Sequence, residues 1–165
     1  MNYQHITHES IPPFVNDDSR ILILGSLPSI VSREKGFFYM HPTNRFYKLL
    51  ARVFNEEEPK TIEERKSFLK KHQIALYDVI YECDISASSD SSIKNAIPID
   101  IKSLLKEHPN IQRIYTTGNK AKELFEKYLL KEVKIPVYFL PSSSAANASM
   151  SEEKLIKKYK IILEK

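Results

Sequence analysis

Four segments hold the residues whose types could do chemistry, and each also has a plain structural role open to it. Gly25-Ser26-Leu27-Pro28-Ser29 offers a glycine and two hydroxyls. Such a turn presents backbone N–H groups to an anion, or simply turns the chain and caps a helix. Phe37, Phe38 and Tyr39 are consecutive aromatics, followed by His41, Pro42 and Asn44. Three neighbouring rings cannot all face one core, so at least one is expected in a pocket or at a surface, where it could stack on a base. Asn44 is either an N-cap or a side chain that holds and polarises a water molecule. His41 reads first as a structural hydrogen-bonding residue. The stretch Leu76 to Lys94 carries Asp78, Glu82, Asp84 and Asp90, among which a general base could lie. Their spacing singles out none; Asp78 reads as a loop-bracing acceptor and Asp90 as a turn or cap residue. Leu140 to Ala148 brings Ser142, Ser143, Ser144 and Asn147, small polar groups suited to close approach to a backbone phosphate, or to a flexible lead into the last helix.

Other chemistries find no support. There is no Gly-Lys-Ser/Thr phosphate loop, no three-glycine dinucleotide fingerprint and no Gly-x-Ser-x-Gly elbow. Cys83 is the one cysteine, so an intramolecular disulfide and a four-cysteine cluster are both excluded. The five histidines show no metal-ligand spacing with it, and no structural metal is expected. Lysine and arginine number 25 against 21 aspartates and glutamates, a surplus of +4 that tilts modestly toward a polyanionic partner. No apolar run approaches the ~18 residues of a membrane span. The polar start MNYQHITHES lacks the form of a secretory signal, and a cytoplasmic monomer is expected.

Elements of two kinds must position these residues. Arg20 to Leu24, Ile74 to Val79, Ile111 to Thr116 and Val137 to Leu140 are short apolar runs that predict buried strands. Helical spacing joins Phe46, Leu49, Leu50, Val53 and Phe54, then Ala121, Leu124, Phe125, Tyr128 and Leu129, and less regularly Leu155, Tyr159, Ile162 and Leu163. Thr61 with Glu64, and Ser149 with Glu152, have capping-box spacing, and Pro98 is placed to open a helix running to about Glu107. Ser86 to Ser92 is a short low-complexity loop. The order β, α, α, β, α, β, α, β, α predicts an α/β fold, a three-layer α/β/α sandwich on a four-stranded parallel sheet. We expect one domain over residues 1–165, with 1–17 as an N-terminal extension. In such sheets ligands bind beyond the carboxyl ends of the strands, which selects the four segments above. All three glycines, Gly25, Gly36 and Gly118, fall at or near these ends.

Taken in order, the segments resemble the uracil-DNA glycosylase superfamily, and within it most the hypoxanthine-DNA (deoxyinosine) glycosylase branch. The resemblance is carried by Gly25-Ser26-Leu27-Pro28-Ser29, His41-Pro42-Thr43-Asn44-Arg45-Phe46-Tyr47, Leu76-Tyr77-Asp78-Val79-Ile80 with Ser89-Asp90, Gly118-Asn119-Lys120-Ala121, and Leu140 to Asn147, and spans roughly residues 18–165. Tyr47 and Tyr77 stand where tryptophan is usual, Thr117 where asparagine is usual, and Ala145 or Ala146 where a proline is expected. Serines replace the histidine of classical uracil enzymes. The resemblance implies a monofunctional glycosylase that flips a deaminated nucleotide out of double-stranded DNA and hydrolyses it, hypoxanthine first, uracil or xanthine next, in base excision repair. Asn44 would position the attacking water, and Gly25, Ser26, Pro28, Ser29, Phe38, Tyr39 and His41 would contact the base, with Phe38 favoured to stack on it. Ser142, Ser143, Ser144 and Asn147 would hold DNA. No metal or redox cofactor is implied. Part in catalysis for His41, Asp78 or Asp90 stays open. The alternatives are a nucleotide- or phosphate-binding α/β transferase and a non-catalytic binder of damaged DNA.

Overall fold

The computed structural model describes residues 3–86 and 93–163. Four strands, β2 (Ile21–Gly25), β3 (Ile74–Asp78), β6 (Arg113–Thr117) and β7 (Val137–Leu140), form one parallel sheet in the order β3-β2-β6-β7. β2 and β3 are buried at every position, which is why each reads as a continuous apolar run. The predicted α/β sheet is therefore present, with strand ends shifted by a residue or two.

From β2 the chain crosses one way to β3, through α1 (Ile30–Lys35), α2 (Phe46–Val53) and α3 (Ile62–Lys71). It then returns the other way to β6 and β7, through α4 (Ile101–Glu107) and α5 (Asn119–Tyr128). Right-handed crossovers running in opposite directions put these two sets of helices on opposite faces, with α6 (Glu152–Tyr159) packed on α2. The order reverses between β2 and β6, so a crevice opens there at the carboxyl ends.

Three strands went unpredicted. β1 (Gln4–Thr7), β4 (Ile80–Ile85) and β5 (Lys94–Pro98) form an antiparallel sheet in the order β1-β4-β5. Only Val79 separates β3 from β4, and the crease is pinned by hydrogen bonds from the Val79 and Ile80 N–H groups to the Gly25 and Ser26 carbonyls. Residues 3–17, expected as an extension, supply β1 and then bond Phe14 to Leu76 on the outer edge of β3. Pro98 ends β5, and α4 starts instead after Asp100, whose carboxylate accepts the Ser103 N–H. The Thr61–Glu64 capping box forms as predicted. α6 is capped by Ser151, not Ser149, whose hydroxyl turns to Asn147.

Candidate active site

The carboxyl ends of the parallel strands open into one cleft of about 510 Å³, within the size range of ligand pockets. It gathers Gly25, Ser26, Pro28 and Ser29 from beyond β2, Phe38, Tyr39, His41 and Asn44 from the α1–α2 loop, and Ser142, Ser143 and Ser144 from beyond β7. Asp78, Thr117 and the first residues of α5 complete it. Asn147 lies outside it, in an adjoining hollow with Ser142, Ser144 and Met150. Asp90 falls outside the described residues.

Asn44 is both cap and cleft residue. Its Oδ1 accepts the Phe46 N–H at 2.9 Å and the Ser143 hydroxyl at 2.8 Å. Two donors fill the two lone pairs of an amide oxygen, so the group it presents to the cleft is the NH₂. Ser143 is only 2% exposed. Expected among the phosphate contacts, it instead fixes the Asn44 amide from below. Beside it the Tyr159 hydroxyl donates to the Pro141 carbonyl at 2.6 Å. His41 is exposed, and its Nδ1 accepts from the Thr43 N–H.

The aromatic run divides as expected, but with a different member turned to the cleft. Phe37 and Phe38 are 4% and 2% exposed, and Phe38 packs among His8, Phe37 and Tyr77. It lines the cleft beside Tyr39 but leaves little of its ring uncovered. Tyr39 is half-buried, with one face stacked 3.8 Å from Phe46 and its hydroxyl bonded to Thr117 Oγ1 at 2.9 Å. Burial pushes its hydroxyl well above the ordinary phenol value, so it acts as a neutral hydrogen-bonding group. Tyr39 also has φ 55, a left-handed conformation that a bulky side chain adopts at a cost of about 1–2 kcal/mol. Strain of this kind collects at binding sites.

The floor holds a pair the sequence did not reveal. Asp78, at the end of β3, is 5% exposed. Its Oδ2 lies 2.9 Å from Nε2 of His8, at ion-pair distance though off the line of a straight hydrogen bond. His8 Nδ1 donates to the Ile11 carbonyl at 3.0 Å. Burial works against a charged ring here, but Asp78 and the carbonyl outweigh it and raise the His8 pKa above the usual imidazole value. Asp78 Oδ1 sits over Gly25: a Cβ there would come within 2.6 Å of it. Gly25 is thus a glycine for close approach, while Gly118, at φ 94, is one for backbone conformation.

Arg45 organises the loop beyond β7. Its guanidinium donates to the carbonyls of Ser143, Ser144, Asn147 and Met150, at 2.8 to 3.3 Å. Within that loop Ser142 Oγ accepts the Ser144 N–H and Ser144 Oγ accepts the Ala146 N–H, which leaves each hydroxyl proton to donate elsewhere. Asn147 donates to the Ser142 carbonyl and shapes the loop. Gly118 gives α5 no side-chain cap, so the N–H groups of its first turn, with Lys120, form a positive rim on the cleft. Sequence reasoning missed His8 and Arg45 outright.

The sequence model of the uracil DNA glycosylase superfamily matches residues 12–164. The chain is similar to a protein named hypoxanthine DNA glycosylase from Methanosarcina barkeri (strain Fusaro / DSM 804), 33% identical over 141 residues that cover 84% of this chain and 87% of that one. A second of that name, from Methanosarcina acetivorans, is 33% identical over 144 residues, covering 87% and 90%. Among solved structures, the solution NMR structure of a uracil DNA glycosylase candidate from Methanosarcina acetivorans superposes with a TM-score of 0.78 at 31% identity. It covers 93% of this chain and 97% of that one. Among the described residues no helix is long and apolar enough to cross a membrane.

Proposed function

The chain belongs to the uracil DNA glycosylase superfamily and is a DNA glycosylase, and from that premise we propose a monofunctional enzyme that takes a deaminated base out of duplex DNA, hypoxanthine before uracil or xanthine. The names of the Methanosarcina relatives favour hypoxanthine. The observation that carries the mechanism is Asn44. Its amide is held rigid by Phe46 and Ser143, with the NH₂ facing the cleft.

In this mechanism the flipped base lies against Tyr39 and the margin of Phe38, above the Gly25–Ser29 turn. The NH₂ of Asn44 donates to a water oxygen and places it beneath the sugar C1′. The glycosidic bond breaks with its electron pair going to the base, and the sugar passes through an oxocarbenium-like state. Location of the water matters more than its basicity for such a cation. The water's oxygen bonds to C1′ as hydroxyl, and the proton it loses ends on the departing base anion, which is released as the neutral free base. The N–H groups of the turn beyond β2, near Gly25 and Ser26, stabilise the negative charge that grows on the base. Ser142, Ser144 and the first turn of α5 hold the flanking phosphates. No covalent lysine intermediate is called for, so the product is a free base and an intact abasic strand. A monomer suffices, since every group named comes from one chain.

The test is a gel assay on labelled duplexes carrying hypoxanthine, uracil or xanthine, with and without alkali. Excision of hypoxanthine with breaks only after alkali is expected, and Asn44→Ala should lower it at least about 10²-fold with DNA binding retained. Breaks without alkali refute the monofunctional assignment. Wild-type turnover in Asn44→Ala removes that residue from the mechanism.

A further inference from the structure

The role given to Asn44 leaves the floor of the cleft unexplained. A carboxylate is buried there, and burial of a charge is costly unless something balances it. His8 balances it, delivered by β1 from the other sheet and held by Ile11 on its far nitrogen. The pairing uses only one carboxylate oxygen. Among the described residues no group donates to the other, Oδ1, which sits at the cleft wall over Gly25 and near the Tyr39 hydroxyl. The fold has removed the Cβ that would cover it.

A carboxylate oxygen can accept and cannot donate. Of the changes deamination makes, the one that favours such a group is at the ring nitrogen. Adenine N1 and cytosine N3 are acceptors; in hypoxanthine and uracil the same ring nitrogens carry a hydrogen. Oδ1 matches the ring N–H of the deaminated base and repels the lone pair of the parent base. The charge is also arranged to permit catalysis, because the carboxylate and imidazolium together are neutral and do not oppose the negative charge on a departing base. Guanine and thymine carry the same ring N–H, so this group sorts ring donors from ring acceptors and nothing finer.

We propose that Asp78 is a specificity-determining residue, its Oδ1 accepting the ring N–H that deamination creates, and that His8 is the positioning residue that aims and neutralises it. The inference rests on the assignment of the cleft to a deaminated base. A buried acceptor left without its donor discriminates strongly, by about 10²-fold or more.

Single-turnover excision is measured on duplexes with hypoxanthine and with 1-methylhypoxanthine, which lacks the N–H, using wild type, Asp78→Ala and His8→Gln. Wild type should excise the methylated base about 10²-fold more slowly. Asp78→Ala should lose a similar factor on hypoxanthine and little further on the methylated base, where no N–H remains to be lost. His8→Gln should narrow the ratio between the two substrates, whereas a purely structural role would lower both rates alike. Equal wild-type rates on the two bases overturn the proposal without any variant, as do additive losses in Asp78→Ala or an unchanged ratio in His8→Gln. Absence of excision of hypoxanthine, uracil and xanthine by folded wild type would instead overturn the assignment of the cleft itself.

Discussion

Gly25→Ala tests the floor of the cleft directly. The added Cβ would lie 2.6 Å from Asp78 Oδ1 and 3.4 Å from the Tyr39 hydroxyl, and the first distance is too short for packed atoms. Gly25 is not among the positive-φ residues, so the effect is steric and not conformational. Asp78 must move, yet its other oxygen is held by His8, itself buried against Tyr77 with ring centroids 4.7 Å apart. Overpacking of a core site costs about 1–3 kcal/mol, and full loss of one partner from a buried ion pair about 3–5 kcal/mol. Partial opening of this pair falls between, at roughly 2–4 kcal/mol, which lowers the melting temperature by about 5–15 °C for a chain of this size. Urea unfolding of wild type, Gly25→Ala, Asp78→Ala and the double variant resolves the cause. If the methyl acts by pushing on the carboxylate, it costs less than about 1 kcal/mol once Asp78 is alanine, and the two sites couple by at least roughly 1 kcal/mol. An equal cost in both backgrounds would refute the reasoning.

Ser143→Ala removes a donor from the Asn44 oxygen and should slow excision about 5- to 10-fold through kcat, with DNA affinity unchanged; a weakened affinity with normal kcat would make Ser143 a phosphate contact after all. Arg45→Met frees the loop from four carbonyls, so DNA binding should weaken and residues 143–150 should exchange amide hydrogens faster. Unchanged exchange would show that the loop holds itself. His8 faces Asp78, the Ile11 carbonyl and the rings of Tyr77 and Phe38, and its folded pKa is raised. Its contribution to stability is therefore complete below the unfolded value of about 6.5 and is lost as pH rises through the folded value. Urea midpoints between pH 6 and 9 should fall more in wild type than in His8→Gln; parallel profiles would refute a charged His8.

What could be read from the sequence follows from how each element is buried. β2 and β3 are covered on both faces, so ILIL and IALY stand out as apolar runs. The antiparallel strands are not: QHIT and KNAIP are short, polar and largely exposed, and nothing in their composition separates them from loops. That residues at the strand ends would share one cleft was legible, because the topology of a parallel sheet brings its carboxyl ends together. Asp78 was visible as a carboxylate at a strand exit, but its meaning depends on His8, which only the pairing of β1 with β4 brings near. Ser142, Ser143 and Ser144 look alike in one dimension. The loop turns the middle one inward, and only the fold separates an internal brace from the two hydroxyls left free to donate. The aromatic run showed that its rings must diverge without showing which ring the left-handed backbone at Tyr39 would bring to the cleft.

The four bonds from Arg45 all end on main-chain oxygens, an atom that every residue type carries. Shape and chemistry are thereby assigned to different parts of the molecule along this stretch. The path of the loop is fastened from outside it, by one guanidinium on α2's doorstep, while the side chains of Ser142, Ser144 and Asn147 add hydrogen bonds within it. Ala145 and Ala146 lie within the span that Arg45 fastens, between the Ser144 and Asn147 carbonyls. Substitutions at those two alanines can change the surface the loop presents without touching the bonds that hold its path or the Asn44 amide beside Arg45.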